Sequence, residues 1–171
     1  LVLLPGDAGL SDADPLQRAS RKYVERGFAV LSIEQATIVR AALKYASETA
    51  TPVSIAAVSS GARRLAGAIA QPGFRARKVI FVSGNLDAVR EVVADPGLLP
   101  PTLVVHHRRD RCAKTSPAQV ESFLLWAGSK VTVRWMEGGG DRGDPCGPES
   151  HHGMAGLDDE VVDAVSSFLS N

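Results

Sequence analysis

Six short apolar runs recur along the chain, separated by stretches in which apolar residues return every three or four positions. The runs are Leu1–Leu4, Phe28–Ile33, Val53–Val58, Lys78–Val82, Thr102–His106 and Lys130–Trp135. Most are continuous rather than alternating, the pattern of strands covered on both faces. Between them the spacing predicts helices over Pro15–Arg26, Ala36–Ser47, Ala62–Ala70, Pro117–Ala127 and Asp158–Leu169, with a shorter one from Leu86 to Ala94. Ser116 before Pro117 reads as an N-cap followed by proline at the first helical position, and Gly27 follows the first helix as a stop. Strands alternating with helices predict an α/β fold, a three-layer α/β/α sandwich around a mainly parallel sheet of about six strands. Gly138–Gly147 reads GGGDRGDPCG, too rich in Gly and Asp for regular structure, and is expected to be a flexible loop. Phe28–Ile33 passes into the helix at Ala36 through Glu34 and Gln35 alone, which implies either a very compact connection or a segment missing from this sequence.

Composition narrows the function classes. A chain of 171 residues and 18.0 kDa suits one domain over residues 1–171. By surface scaling it would leave roughly 8,000 Å² exposed when folded. Nineteen basic and nineteen acidic residues cancel, which argues against a dedicated nucleic-acid or polybasic membrane surface despite the local cluster Arg108, Arg109 and Arg111. Aromatic residues make up only 5%, too few for a base-stacking platform. No apolar run approaches the roughly 20 residues of a membrane helix. The sequence opens at Leu1 inside an apolar run, so any leader lies outside it and its absence says nothing of location. Two cysteines are compatible with one bridge without establishing it.

In parallel α/β sheets, functional groups gather at the carboxyl ends of the strands. A serine, an aspartate and a histidine follow three different runs, in that chain order. The segment Ala57-Val58-Ser59-Ser60-Gly61 fits G-x-S-x-G with alanine at its first position, between a strand and a helix. That setting suits a nucleophile elbow, where a serine sits on a strained turn flanked by small residues. The plainer reading is that Ser59 and Ser60 only cap the helix. Asp110 could likewise be a solvated turn residue among its arginines, and His151 and His152 could be surface-loop histidines. No C-x₂-C or H-E-x-x-H spacing supports a metal site. The loop Gly6-Asp7-Ala8-Gly9 is neither G-x-G-x-x-G nor a P-loop, so a nucleotide- or flavin-binding module is disfavoured and no cofactor is expected.

Four segments in order, LVLLPGDAG, PVSIAAVSSGA, PTLVVHHRRDRC and DPCGPESHHGMAGLDDEVVDAVSSFL, resemble the α/β-hydrolase superfamily. The likeness is narrower to small bacterial hydrolases with a paired-cysteine rim at the active site. Together they span nearly the whole chain. The resemblance implies a minimal α/β-hydrolase fold without a lid domain. It places the nucleophile on Ser59, the triad acid on Asp110 and the base on His152, with oxyanion donors at the backbone N–H groups of Asp7 and Ser60. His106 would be a packed residue at a strand end, and His107 stands where relatives carry glycine. The sequence departs from the pattern in four places. Ala57 replaces the first glycine of the elbow, and Pro5 stands where many relatives carry histidine. Asp7 brings a carboxylate to a proposed anion site, and Glu34–Gln35 leave no room for a lid.

Such a triad implies a serine hydrolase cleaving a carboxylic ester through an acyl-enzyme, with a small ester or an exposed polymer as substrate. The alternative is a hydrolase-fold protein without turnover that binds a ligand or partner in the same cleft. If Asp110 and His152 meet, Cys112 and Cys146 lie on loops at the same end of neighbouring strands. A bridge between them would close a loop of about 34 residues, worth roughly 3.8 kcal/mol in the chain-entropy model. It would imply an oxidising compartment, the periplasm or outside the cell; the alternative is two free thiols.

Overall fold

A parallel sheet covered on both faces must bury two sets of side chains, and the alternation along each strand sorts them. The computed structural model describes residues 1–171 and contains one six-stranded, all-parallel sheet. Its strands are β1 (Val2–Leu4), β2 (Leu31–Ser32), β3 (Ile55–Val58), β4 (Val79–Val82), β5 (Thr102–His107) and β6 (Val131–Met136), in the order β2-β1-β3-β4-β5-β6. Seven α-helices accompany them: α1 (Pro15–Arg18), α2 (Ser20–Glu25), α3 (Val39–Thr49), α4 (Gly61–Ile69), α5 (Leu86–Val93), α6 (Pro117–Ala127) and α7 (Asp158–Ser170).

Registration places Val2 beside Ile55, Ile55 beside Val79 and Val79 beside Thr102, so equivalent faces align across the sheet. Val2, Leu4, Ile55, Ala57, Phe81 and Val104 form one buried cluster with side chains of α3, α4, α5 and α6. Leu3, Ala56, Val58, Ile80, Val82 and Val105 form the other with α1, α2 and α7. The result is the expected three-layer sandwich. Its accessible surface is 8079 Å², in line with the surface scaling for this mass. No helix is long and apolar enough to cross a membrane.

Two elements differ from the sequence reading. The long first helix is two short ones, because Ala19 leaves α-helical backbone at φ −88°, ψ 1°. Apolar spacing continued through this break and concealed it. The run Phe28–Ile33 pairs as a strand only at Leu31–Ser32, because its one neighbour, β1, is itself only three residues long. The abrupt connection after it is closed by a 3₁₀ turn at Ala36–Ile38, which starts the turn of the chain before α3 begins.

Phe81 is fully buried on the α3–α6 side and meets Phe123 of α6 edge-on, with ring centroids 6.2 Å apart. Phe81→Ala is therefore expected to cost about 3–5 kcal/mol. Urea unfolding measures this; a loss under about 1 kcal/mol would contradict the packing described.

Candidate active site

The end of β3 shows why small residues surround Ser59. The β3–β4 ladder continues one residue past the strand, through Ser59 N–H donating to Val82 O at 3.1 Å. The chain then turns at once into α4. That turn forces Ser59 to φ +49°, a left-handed conformation uncommon for a residue with a side chain. Its carbonyl accepts from the N–H groups of Ala62 and Asn85. Gly61 is needed for a different reason: a methyl there would stand 2.5 Å from Pro5 O. Neither Ser59 nor Ser60 makes a side-chain cap to α4, so the capping reading of these serines is not what the structure contains.

Asp110 follows β5 in a tight turn and is fully buried at its side chain. Its Oδ1 accepts from Cys112 N–H at 2.8 Å, and its Oδ2 from the Thr115 hydroxyl at 3.0 Å. His152 Nδ1 lies 3.0 Å from the same Oδ2, and His106 Nε2 lies 3.4 Å from it. Burial alone would raise the carboxyl pKa. The imidazoles of His106 and His152 and the Cys112 amide outweigh that and hold it well below the usual carboxylate range.

His152 Nε2 is 3.1 Å from Ser59 Oγ. With its proton on Nδ1, the ring donates to Asp110 and presents a free Nε2 lone pair to the serine hydroxyl. Thr115 Oγ1, 2.9 Å from Nδ1, closes this polar cluster. The backbone of His152 is gripped on both sides. Its carbonyl accepts from Ser83 Oγ at 2.7 Å and its N–H donates to Ser150 Oγ at 3.2 Å. Gly153 is required by close approach, because a methyl there would run into the Pro148 backbone. Arg18 reaches from α1 to the Gly153 carbonyl at 3.1 Å while forking onto Asp158 at the start of α7.

The other histidines have different surroundings. His106 is wholly buried with its ring edge-on to Trp135. His107 and His151 stack in parallel, centroids 4.0 Å apart. His107 Nδ1 accepts from Arg109 N–H and its Nε2–H donates to Gly138 O, so the ring is held neutral. Burial pushes its pKa down, and the Gly138 carbonyl only partly offsets this; His151 and Arg109 add smaller downward pushes. His151 is buried rather than lying on the surface.

The Gly-rich loop is irregular, as its composition implies, but it is tethered rather than free. Cys146 is disulfide-bonded to Cys112, and no cysteine is free. Arg111 pairs with Asp141 at 3.0 Å, and Gly140 N–H donates to Ala155 O at 2.8 Å. With His107 on Gly138, these contacts fasten the segment before His152 to the loop of Asp110.

Gly6 and Asp7 approach Ser59 from β1. A methyl on Gly6 would lie 3.2 Å from Ser59 Cβ. The N–H groups of Asp7 and Ser60 have no hydrogen-bond acceptor within the chain. The Asp7 carboxylate, exposed, accepts from Ser60 Oγ at 2.5 Å. A small cleft of about 100 Å³ opens over Ser59 and His152, walled by the Gly6–Ala8 loop, the disulfide, Lys114 and Pro148.

Sequence reasoning missed Asp14, Thr115 and Ser83. Asp14, buried in the cleft wall, accepts from Gly6, Leu16 and Gln17 N–H; burial pushes its pKa up against the pull of those amides and Arg18. The Asp14-Pro15 pair signals a helix start, but nothing local signals its bond to Gly6. Thr115 and Ser83 act on residues 37 and 69 positions away, beyond any motif.

No protein-family model matches the chain, and no curated protein matches it in sequence. Solved structures do. Est1E from Butyrivibrio proteoclasticus, with bound ferulic acid, superposes with a TM-score of 0.72 at 14% identity, over 98% of this chain and 86% of that one. A structure from the metagenome-derived lipolytic enzymes LipS and LipT gives 0.70 at 11%, over 99% and 92%. An alpha/beta hydrolase from the metagenome of lagoon sediments of Mar Chica, Morocco, gives 0.67 at 15%, over 99% and 89%. The chain has the α/β-hydrolase fold.

Two outcomes follow from these contacts. Alkylation of denatured, unreduced protein should add no mass, and reduction should loosen the loop before His152 while the sheet stays folded; two adducts without reductant would remove the bridge. Because folding lowers the Asp110 pKa, its ionised form contributes stability above the unfolded value, about 3.9. The stability gap between wild type and Asp110→Asn should be constant near neutrality and shrink as pH falls below that value. Urea unfolding across pH 7 to 2 tests this, and a gap unchanged at pH 2 contradicts it.

Proposed function

We propose that the protein is a serine hydrolase that cleaves carboxylic esters through an acyl-enzyme. The observation that carries the reading is the continuous line from Ser59 Oγ to His152 Nε2 at 3.1 Å and from His152 Nδ1 to Asp110 Oδ2 at 3.0 Å. Ser59 attacks the ester carbonyl as His152 takes its proton. The same imidazolium then protonates the leaving alcohol, and Asp110 stabilises it and holds the tautomer. Water repeats the sequence on the acyl-enzyme and releases the acid. The unpartnered N–H groups of Asp7 and Ser60 would receive the tetrahedral oxyanion, where one donor typically contributes about 3 kcal/mol.

The Asp7 carboxylate bears on this reading because a negative charge near an oxyanion is unfavourable. Its exposure to water screens that charge, and the Ser60 hydroxyl engages one of its oxygens. A cleft of about 100 Å³ suits a short acyl group, or the exposed ester of a polymer whose remainder stays outside. The bond between Cys112 and Cys146 supports a site of action in an oxidising compartment, the periplasm or outside the cell. Solved structures with this fold described as lipolytic or as esterases support the reaction class.

Ser59 is expected to be the one serine labelled stoichiometrically by an organophosphonate, and the protein to hydrolyse p-nitrophenyl acetate well above the rate in buffer. Ser59→Ala should abolish labelling without unfolding. His152→Ala should lose several orders of magnitude in turnover, whereas His151→Ala keeps Ser59 reactive. An unlabelled protein with turnover equal to buffer would overturn the enzyme and favour a binding role for the cleft.

A further inference from the structure

The loop between β1 and α1 is fixed at its peptide groups, and this fixes where the Asp7 amide points. The Pro5–Gly6 peptide is held at both ends. Its N–H, on Gly6, donates to Asp14 Oδ2 at 2.9 Å, and its carbonyl, on Pro5, accepts from Arg64 Nη2 at 2.5 Å. The next peptide, Gly6–Asp7, is held at its carbonyl by the same Arg64 nitrogen at 3.1 Å. That peptide is trans, and in a planar trans unit the C=O and N–H point in opposite directions. A donor on the Gly6 carbonyl therefore turns the Asp7 N–H away from Arg64, and that N–H has no acceptor within the chain.

We propose that Asp14 and Arg64 are positioning residues that aim the Asp7 amide at the oxyanion formed on Ser59. This rests on the reading of Ser59 as nucleophile given above. Their placement suits the task. Asp14 is buried, with its two oxygens serving different elements: Oδ2 holds Gly6, while Oδ1 caps α1 through Leu16 and Gln17 N–H. Arg64 lies on α4, the helix that Ser59 and Ser60 lead into, so the serine's own helix also orients the opposing loop. Aspartate and arginine are needed because each peptide end requires a strong, directed partner. A carboxylate accepts from two directions at once, and a guanidinium nitrogen can serve both carbonyls. Gly6 completes the arrangement by allowing the loop to rest on Ser59 Cβ.

The test separates aim from fold. Asp14→Ser retains a hydroxyl that can cap Leu16 and Gln17 but is too short to hold Gly6. Arg64→Met keeps the aliphatic stem and removes the donor. Each should lower kcat for p-nitrophenyl acetate about 10- to 100-fold, as for a misplaced oxyanion donor, with KM within about twofold. Affinity for a trifluoromethyl ketone, which forms an oxyanion on the serine, should fall in parallel. Arg64→Lys should recover part of the loss, because it restores a cationic donor. In ¹⁵N–¹H spectra the Asp7 amide should shift in Arg64→Met, a readout independent of turnover. Folded variants with wild-type kcat, equal losses for Arg64→Met and Arg64→Lys, or an unmoved Asp7 amide would each overturn the proposal. If Asp14→Ser does not fold, the Arg64 pair and the amide shift decide the matter. A wild-type protein that no phosphonate labels would instead sink the nucleophile reading, and the amide shift would still judge the role of Arg64.

Discussion

A carboxylate removed from water costs several kcal/mol unless donors replace its hydration. Asp110 is in that position, and much of the upper sheet edge is organised around satisfying it. The Cys112 amide closes the turn onto one oxygen, while Thr115 and His152 converge on the other, with His106 behind them. Each donor has a further consequence. The Cys112 amide belongs to the residue that carries the disulfide, and Thr115 sits one residue before the start of the segment leading into α6. His152 is oriented by the bond it donates, and that orientation leaves its second nitrogen facing Ser59. The need to solvate one buried charge with protein groups thus fixes the histidine more firmly than any contact with the serine does.

The site is assembled from backbone as much as from side chains. Ser83 and Ser150 hold the carbonyl and amide of His152, and Arg18 holds the carbonyl of the glycine after it. Asp14 and Arg64 do the same for the loop across the cleft. Around the cleft, Gly61 and Gly153 mark places where a backbone comes too near for a methyl group, and Gly6 rests close against Ser59. Such close approaches leave Ser59 and His152 little freedom, as the proposed reaction would require.

Much of the fold was legible because two-sided burial writes itself as continuous apolar runs. β3, β4 and β5 fall within a residue or two of the runs that announce them, since each has a strand on either side. β2 does not, because its length is limited by the three-residue β1 it pairs with, a property of the assembled sheet. The break at Ala19 was hidden because both short helices keep apolar residues against the same face. Ser59 stood out as a candidate because a strand end and small neighbours are local features, whereas Asp110 and His152 were singled out by the resemblance; the structure brings the three within hydrogen-bond distance. Asp14, Thr115 and the His107–His151 stack were not visible: their roles depend on partners brought together only by the fold.

The layer formed by α1, α2 and α7 joins the two ends of the sequence. Arg18, Lys22 and Arg26 face Asp158, Asp159 and Asp163 in a ladder of ion pairs. Beneath it Val161, Val162 and Val165 of α7 share a core with Leu3, Leu16 and Tyr23. On this face α1 and α2 cover one part of the sheet and α7 covers the rest. His152 is delivered by the same stretch of chain. Docking of α7 and placement of the imidazole beside Ser59 therefore depend on one continuous stretch of chain, and a change that frees this helix also loosens the hold on His152.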